Sequence, residues 1–305
     1  MLPFRIHILG CGSALPTLRH NPAAQVVDIH DRLFLVDCGE GTQLQIRRQH
    51  IALSCIGHVF ISHLHGDHCF GLPGLLTTLS MISNVSQVHI YAFDQLRQLL
   101  EPLFDFHLKG SGLTPVFHPI RTEGHETIYE DKSVTVSTLP LRHRVPCVGF
   151  LFKEKAPLPH IRRDMIDFLQ IPHYAINPIK QGGGWTTADG TFYPHERLVT
   201  PNHPPRTYAY ISDTLPCPEH IEALRDADLL YHEATFCNDK AQRAAETCHS
   251  TAAQAAGIAA EAQVKRLLLG HYSARYTDEE TFLDEARPIF PDVQAAQEGM
   301  VIELK

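Results

Sequence analysis

Six runs of β-type residues in this chain lead into a histidine or an acid, and that recurrence constrains the fold more than any other feature. Arg32–Val36 leads into Asp37, Val59–Ile61 into His63, and Val134–Leu139 toward His143. Downstream, Tyr208–Ile211 leads into Asp213, Leu229–Tyr231 into His232 and Glu233, and Arg266–Leu269 through Gly270 into His271. Strands that deliver ligand-type side chains at their carboxyl ends are expected where one sheet edge carries a site. Helical segments are fewer. Ser250 or Thr251 can cap a helix over 252–263, between two of the runs, which makes a βαβ unit. Segments 42–49 and 72–83 also read as helices, the second beginning near Pro73. The pattern predicts an α/β sandwich with its site at one edge.

The densest cluster is His63-Leu64-His65-Gly66-Asp67-His68. In extended chain His63 and His65 share one side and Asp67 can continue the row. A turn at Gly66 lets Asp67 and His68 diverge, which suits two neighbouring metals better than one. Imidazole with carboxylate is a zinc donor set, and iron or manganese also fits. The chain holds 21 histidines in 305 residues, yet scattered surface histidines do not concentrate in this way beside an apolar strand.

Composition excludes several classes. A hydrophobic content of 44% supports a sizeable core, and the net charge of −8 argues against a generally basic nucleic-acid coat while leaving room for a local basic groove. The eight cysteines form no C-x-x-C pair, which fits reduced thiols in a cytoplasm. The N-terminus reads as a first strand and turn rather than a secretory signal, and no apolar run is long enough to span a membrane. Segment 153–206 is different. It holds eight prolines and a Gly182-Gly183-Gly184 run, the composition of a functional insertion or a flexible segment. It also carries Arg162, Arg163, Lys180, Arg197 and Arg206 with Tyr174 and Trp185, a mixture suited to a phosphate backbone, although Trp185 reads better as a loop anchor than as a base-stacking platform.

The HLHGDH motif with His143, Asp213 and His271 downstream resembles the metallo-β-lactamase superfamily. Further segments narrow the likeness: LGCGSALPT at 9–17, DCGEGTQLQ at 37–45, ISHLHGDHCFGLPGLL at 61–76, HRVPCVGF at 143–150, SDT at 212–214, HEATF at 232–236, HST at 249–251 and LLLGHYSARY at 267–276. Together, and nearly end to end, they resemble the ribonuclease Z family in its short form. The resemblance implies a four-layer αβ/βα sandwich, one metallo-β-lactamase-fold domain over 1–305, with a protruding tRNA-binding arm at 153–206. It implies an endonuclease that removes the 3′ trailer of precursor tRNA, leaving a tRNA 3′-hydroxyl and a trailer 5′-phosphate, and working as a homodimer in which one subunit's arm serves its partner.

The resemblance also assigns roles. His63, His65 and His143 hold one zinc, Asp67, His68 and His271 the other, and Asp213 bridges them, giving two Zn2+ per subunit with Mn2+ or Fe as alternatives. Two such ions can activate water and clamp a phosphate. Asp67 doubles as proton acceptor, and Glu233 charges His249 beside the scissile phosphate. Asp37 orients a ligand histidine. Ser13, Thr17, Ser273 and Arg275 are candidate phosphate contacts, set against the ordinary turn-stabilising use of such residues. Two departures stand out: Ile171-Pro172-His173-Tyr174 replaces a Gly-Pro element near the arm tip, and Ser212 replaces a common glycine without expected effect on the metals. A same-fold phosphodiesterase for small esters, an iron oxidoreductase and a tRNA-binding scaffold with a decayed site are the rival readings. The arm, the HEATF and HST segments and the complete ligand set argue against them.

Overall fold

A computed structural model describes residues 2–82 and 85–305. The chain separates into two compact units, one reaching to Lys153 and resuming at Arg206, the other Glu154–Pro205. The larger unit is built on two seven-stranded sheets. In the first, the spatial order is Val301–Glu303, Phe4–Gly10, Ala24–Ile29, Arg32–Val36, Ile56–Phe60, Gln87–Ala92 and Thr114–Pro119. In the second it is Val293–Ala295, Leu267–Gly270, Leu229–Glu233, Thr207–Ile211, Val148–Glu154, Val134–Pro140 and Thr127–Glu130.

Both faces of each sheet are covered, which explains runs such as Leu229–Tyr231 that are apolar without alternation. Between the sheets, Phe34 meets Phe152 with ring centroids 6.0 Å apart and Phe60 meets Phe150 at 5.6 Å. Outside the first sheet, Ile46, Leu72, Leu75, Leu76, Leu96 and Leu100 of three helices close a second apolar cluster. Outside the second, Ala252–Glu261 and Glu280–Ala286 pack together against the strands. The result is the αβ/βα sandwich.

The helix over Ala252–Glu261 is short in side chain and is fixed at its start. Thr251 accepts from Gln254 N while the Gln254 side chain accepts from Thr251 N at 2.9 Å, a capping box that settles the choice between Ser250 and Thr251. It joins the parallel pair Leu229–Glu233 and Leu267–Gly270 as a βαβ crossover. The other two helices run Thr42–Arg48 and Leu72–Ser80, the latter ending short of the expected residue 83, which lies outside the described residues.

The Glu154–Pro205 unit is folded rather than loose. Leu169, Ile171, Ala175, Ile179, Leu198 and Val199 form its own core, with Trp185 and Tyr193 packed against it. Its prolines punctuate structure. Pro172 and Pro194 stand immediately before the helices His173–Lys180 and His195–Leu198, where a missing N–H and an extended backbone carry no penalty. Trp185–Thr186 pairs with Phe192–Tyr193, so Trp185 is an anchor of this hairpin. Arg206 is not a surface cation of that segment: it is 2% exposed, its guanidinium donates to the Leu304 and Leu2 carbonyls, and it lies over the Phe4 ring. Composition had grouped it with the wrong unit.

Candidate metal centre

Strand ends deliver the site, and the backbone turns sharply as each one finishes. Asp37, Asp213 and His271 follow the ends of Arg32–Val36, Thr207–Ile211 and Leu267–Gly270 and adopt left-handed φ values of 56°, 49° and 62°. Such φ values are unusual outside glycine, and they swing the next side chain off the strand axis. His63 and His65 follow Ile56–Phe60 in extended chain, but Gly66–Cys69 closes into one helical turn. That turn takes Asp67 out of the row expected from the sequence and sends it, with His68, to the other side. Its seat depends on Gly39 and Gly71: a Cβ on Gly39 would lie 2.4 Å from the Asp67 carbonyl, and one on Gly71 2.0 Å from the Gly39 carbonyl.

Two groups result. His63, His65, His143 and Asp213 converge, and Asp67, His68 and His271 converge beside them, the ligand atoms of each group lying within 4.8 Å of one another. Within the first, His63 Nε2 and His143 Nε2 lie 3.0 and 3.3 Å from His65 Nδ1. In the second, His68 Nε2 and His271 Nε2 are 3.3 Å apart. Asp213 stands between, with Oδ1 3.7 and 3.8 Å from His63 and His143 and Oδ2 3.1 and 3.2 Å from His68 and His271.

The outer hydrogen bonds test whether this set fits metal ions. His143 Nδ1 donates to the Cys248 carbonyl at 3.0 Å, and His68 Nδ1 to Asp37 Oδ2 at 2.7 Å. His63 Nδ1 donates to Ser62 Oγ, and His271 Nδ1 to Thr235 Oγ1, each hydroxyl giving its own proton to a carboxylate, Asp37 or Glu233. A proton fixed on Nδ1 leaves the lone pair of Nε2 aimed at the cluster, as metal-ligating histidines require. Burial pushes His63, His65 and His143 below the ordinary imidazole value, so they are neutral donors. Burial works against a charge on Asp213, yet His271 and His68 beside its Oδ2 hold it well below the usual carboxylate range; His68 in turn is raised well above the ordinary imidazole value, against its burial, by Asp213, Asp37 and Asp67, a proton that a bound cation would replace. The residues fit two divalent ions.

Beside the second group, His249 Nδ1 lies 2.8 Å from Glu233 Oε1. Glu233 is fully buried and also accepts from Thr214 N, Thr235 N and Thr235 Oγ1. Burial opposes a charge on His249, but the Glu233 carboxylate outweighs it and pushes the imidazole up to about 9. A cavity of about 380 Å³ opens over the centre, lined by Ser13, Ala14, His65, Asp67, Arg144, Asp213, His249 and His271 among others. A second recess carries Ser13, Arg144, Thr235, Arg243, His249, Ser273 and Arg275.

The family model of the β-lactamase superfamily domain matches residues 198–272, and that of the anti-Pycsar protein Apyc1 matches residues 4–158. Ribonuclease Z of Bacteroides fragilis (strain YCH46) is 49% identical over 304 residues, covering 100% of both chains. The chain belongs to the ribonuclease Z family. Ribonuclease Z of Bacteroides thetaiotaomicron is 50% identical over 304 residues, all of this chain and 96% of the relative. Among solved structures, human tRNase Z, short form, superposes with a TM-score of 0.72 at 25% identity and 99% coverage of each chain.

All the residues that the ribonuclease Z motifs nominated as ligands or catalytic groups lie in this region. The candidate phosphate contacts divide. Ser13 lines both recesses, Ser273 and Arg275 line the second, and the Arg275 side chain donates to Ser273 Oγ at 3.2 Å. Thr17 is outside both linings, and its hydroxyl accepts from the Arg19 and His20 amides, closing its own turn. Ser212 is closer to the chemistry than expected, because its hydroxyl donates to Asp213 Oδ2 at 2.8 Å. Sequence reasoning missed Ser62, Thr235, Tyr210, Arg144 and Arg243. Arg144 directly follows a ligand histidine and Thr235 lies within HEATF, so adjacency to motif residues was the available signal; Tyr210, which donates to Asp37 at 2.7 Å, had none.

Proposed function

We propose that this chain is a metal-dependent endoribonuclease that removes the 3′ trailer from precursor tRNA, leaving a 3′-hydroxyl on the tRNA and a 5′-phosphate on the trailer. The observation that carries the reading is the convergence of seven ligand-type side chains, four of which, His65, Asp67, Asp213 and His271, line one cavity together with a charged His249. The substrate class rests on the ribonuclease Z relatives matched end to end.

We assign His63, His65 and His143 to one zinc ion and Asp67, His68 and His271 to the other, with Asp213 shared. When bound, the pair supplies Lewis-acid polarisation of a phosphate oxygen and a lowered pKa for water. The chain's own groups do the rest. The Ala14 amide donates to Asp67 Oδ2 at 2.7 Å, leaving Oδ1 free to take a proton from the attacking water. Glu233 holds His249 through Nδ1, so Nε2 carries the proton that the departing 3′ oxygen needs. Arg144, Arg243 and Arg275 provide positive charge where flanking phosphates run.

The Glu154–Pro205 unit is the candidate tRNA-body contact, acting across a homodimer. It has five Lys/Arg against five Asp/Glu, so the chain's net charge of −8 resides elsewhere, and Arg163, Arg197, Tyr174 and Phe192 are exposed on it. All eight cysteines are free, which suits a reducing cytoplasm, and no helix among the described residues is long and apolar enough to cross a membrane.

The test is incubation with a 3′-extended precursor tRNA, with and without chelator, followed by mapping of the cut. Chelator-sensitive cleavage near the 3′ end, lost in Asp67→Ala while tRNA binding persists, is expected. A chain that hydrolyses a small phosphodiester but leaves the precursor intact would instead be the small-ester phosphodiesterase.

A further inference from the structure

A second set of metal-type donors lies outside the centre described above. Cys11 Sγ, His20 Nδ1 and a Glu298 carboxylate oxygen come from the start of the first loop, its end, and the C-terminal segment, and lie within 4.8 Å of one another. His20 Nδ1 is 3.3 Å from Cys11 Sγ and 3.1 Å from Glu298 Oε2. Donors around a tetrahedral zinc, at Zn–N, Zn–O and Zn–S bond lengths, stand about 3.4–3.6 Å apart. The spacing is therefore close to that of a coordinated set, and it matches the 3.0–3.3 Å separations among the histidines of the main centre.

The surroundings repeat the pattern of a metal-ligating histidine. His20 uses its other nitrogen, Nε2, on Glu279 Oε1 at 2.8 Å, the carboxylate–histidine arrangement that fixes a ligand's tautomer. Glu298 has its Oε1 occupied by the Asn21 amide at 2.8 Å and the Cys11 amide at 3.4 Å, leaving Oε2 for the cluster. Cys11 Sγ donates its proton to the Ala296 carbonyl at 3.4 Å, a bond that is given up when the thiol loses that proton. The His20 and Glu298 side chains are 12% and 15% exposed, enough for an ion to enter and little enough to hold it dry.

The thiol's own hydrogen bonds, to the Ala296 carbonyl at 3.4 Å and beside His20 Nδ1 at 3.3 Å, are long and of the weak sulfur kind. The two nitrogens of His20 already reach both carboxylates, so the cluster is satisfied without a thiol. Cys11 is fully buried, and burial together with Glu298 and Glu279 pushes its thiol well above the ordinary value, so that a cation seated in the cluster is what would draw the proton off.

We infer that Cys11, His20 and Glu298 bind a divalent cation of the zinc class at a structural site that fastens the 11–21 loop to the C-terminal segment. Uptake displaces the thiol proton to solvent, and no electron transfer is involved. The site matters for the reaction because the same loop presents Ser13 to the cavity and the Ala14 amide to Asp67.

The experiment replaces bound metal in the full chain with Co2+ and records the near-ultraviolet spectrum together with metal content. None of the ligands assigned to the main centre is a cysteine, so a thiolate-to-cobalt charge-transfer band reports a cysteine ligand alone. The band is expected in the parent protein, unchanged in Cys217→Ser, and absent in Cys11→Ser. The Cys217 control is needed because Cys217, Glu219 and His220 are also grouped. Glu298→Gln keeps an acceptor for the two amides and is expected to lose about one metal equivalent per chain. No band in the parent protein, or a band that survives Cys11→Ser, would overturn the site and leave the cluster as a metal-free clamp.

Discussion

Asp37 and His68 face each other at 2.7 Å with both side chains wholly buried, and the contact lies on the opposite side of the imidazole from the metal-facing nitrogen. Ser62 and Tyr210 saturate the same carboxylate, so its lone pairs can only receive protons. Asp37 therefore dictates which nitrogen of His68 is free. Asp37→Asn would place an amide donor there and favour the wrong tautomer. A 10–100-fold loss of metal affinity is the usual scale of such changes, expressed as about that factor in chelator competition. Unaltered affinity in a folded variant would refute the orienting role.

Glu233→Gln preserves shape but removes the charge that sustains His249. The cleavage rate constant under saturating precursor tRNA is expected to fall about 100-fold, in the range typical for loss of a general acid, with KM nearly unchanged and some loss of thermal stability, since the amide NH2 would face donors that the carboxylate now accepts. A rise in KM with kcat intact would show instead that the pair only binds substrate.

The smaller unit leaves and rejoins the sheet at neighbouring positions, since Lys153 pairs with Thr207 across adjacent antiparallel strands. Asn-Gly in place of residues 154–205 leaves, with Arg206, a three-residue loop between that pair, a common length for closing a hairpin. The shortened chain is expected to keep hydrolysis of a small phosphodiester while kcat/KM on precursor tRNA drops by about 100-fold or more, the loss of a few good phosphate and stacking contacts. Equal losses on both substrates would assign the unit a structural role.

His58, His89 and His118 stack at the other end of the first sheet, with His58 against Tyr129 at 4.7 Å between ring centroids. Burial, with the neighbouring His89, His118 and Arg32, pushes His58 down to about 4. Its folded pKa lies below its unfolded value of about 6.5, so the unfolded chain takes up the proton first as pH falls. Stability is thus intact above pH 6.5 and declines between about 6.5 and 4. Urea midpoints at pH 7.5 and 5.0 should differ less for His58→Phe than for the parent; an identical pH dependence would remove His58 as a source.

The ligands were legible because most of them lie at or just beyond a strand end, and an apolar run with a polar stop is a local signal. Thr235 and Tyr210 were not, because a hydroxyl acquires its role only when distant strands are in register. The helical turn at Gly66 redirected Asp67 for a similar reason: Gly39 and Gly71 had to approach within backbone contact, which spacing along the chain does not reveal. Arg206 and the prolines of 154–205 misled in opposite ways. A cation looked solvated although it is capped by two carbonyls, and proline density looked loose although Pro172 and Pro194 launch helices.

The left-handed backbone at Asp37, Asp213 and His271 has an evolutionary consequence. Glycine, with no Cβ, would relieve the backbone at each position, by roughly 1 kcal/mol per residue. Selection on folding alone therefore pulls these three codons away from the reaction. A lineage freed from the need to cleave should drift there first, toward Gly, while its sheets and core persist. Retention of acid, acid and histidine at 37, 213 and 271 is accordingly a sharper mark of a working enzyme than the overall likeness of two folds.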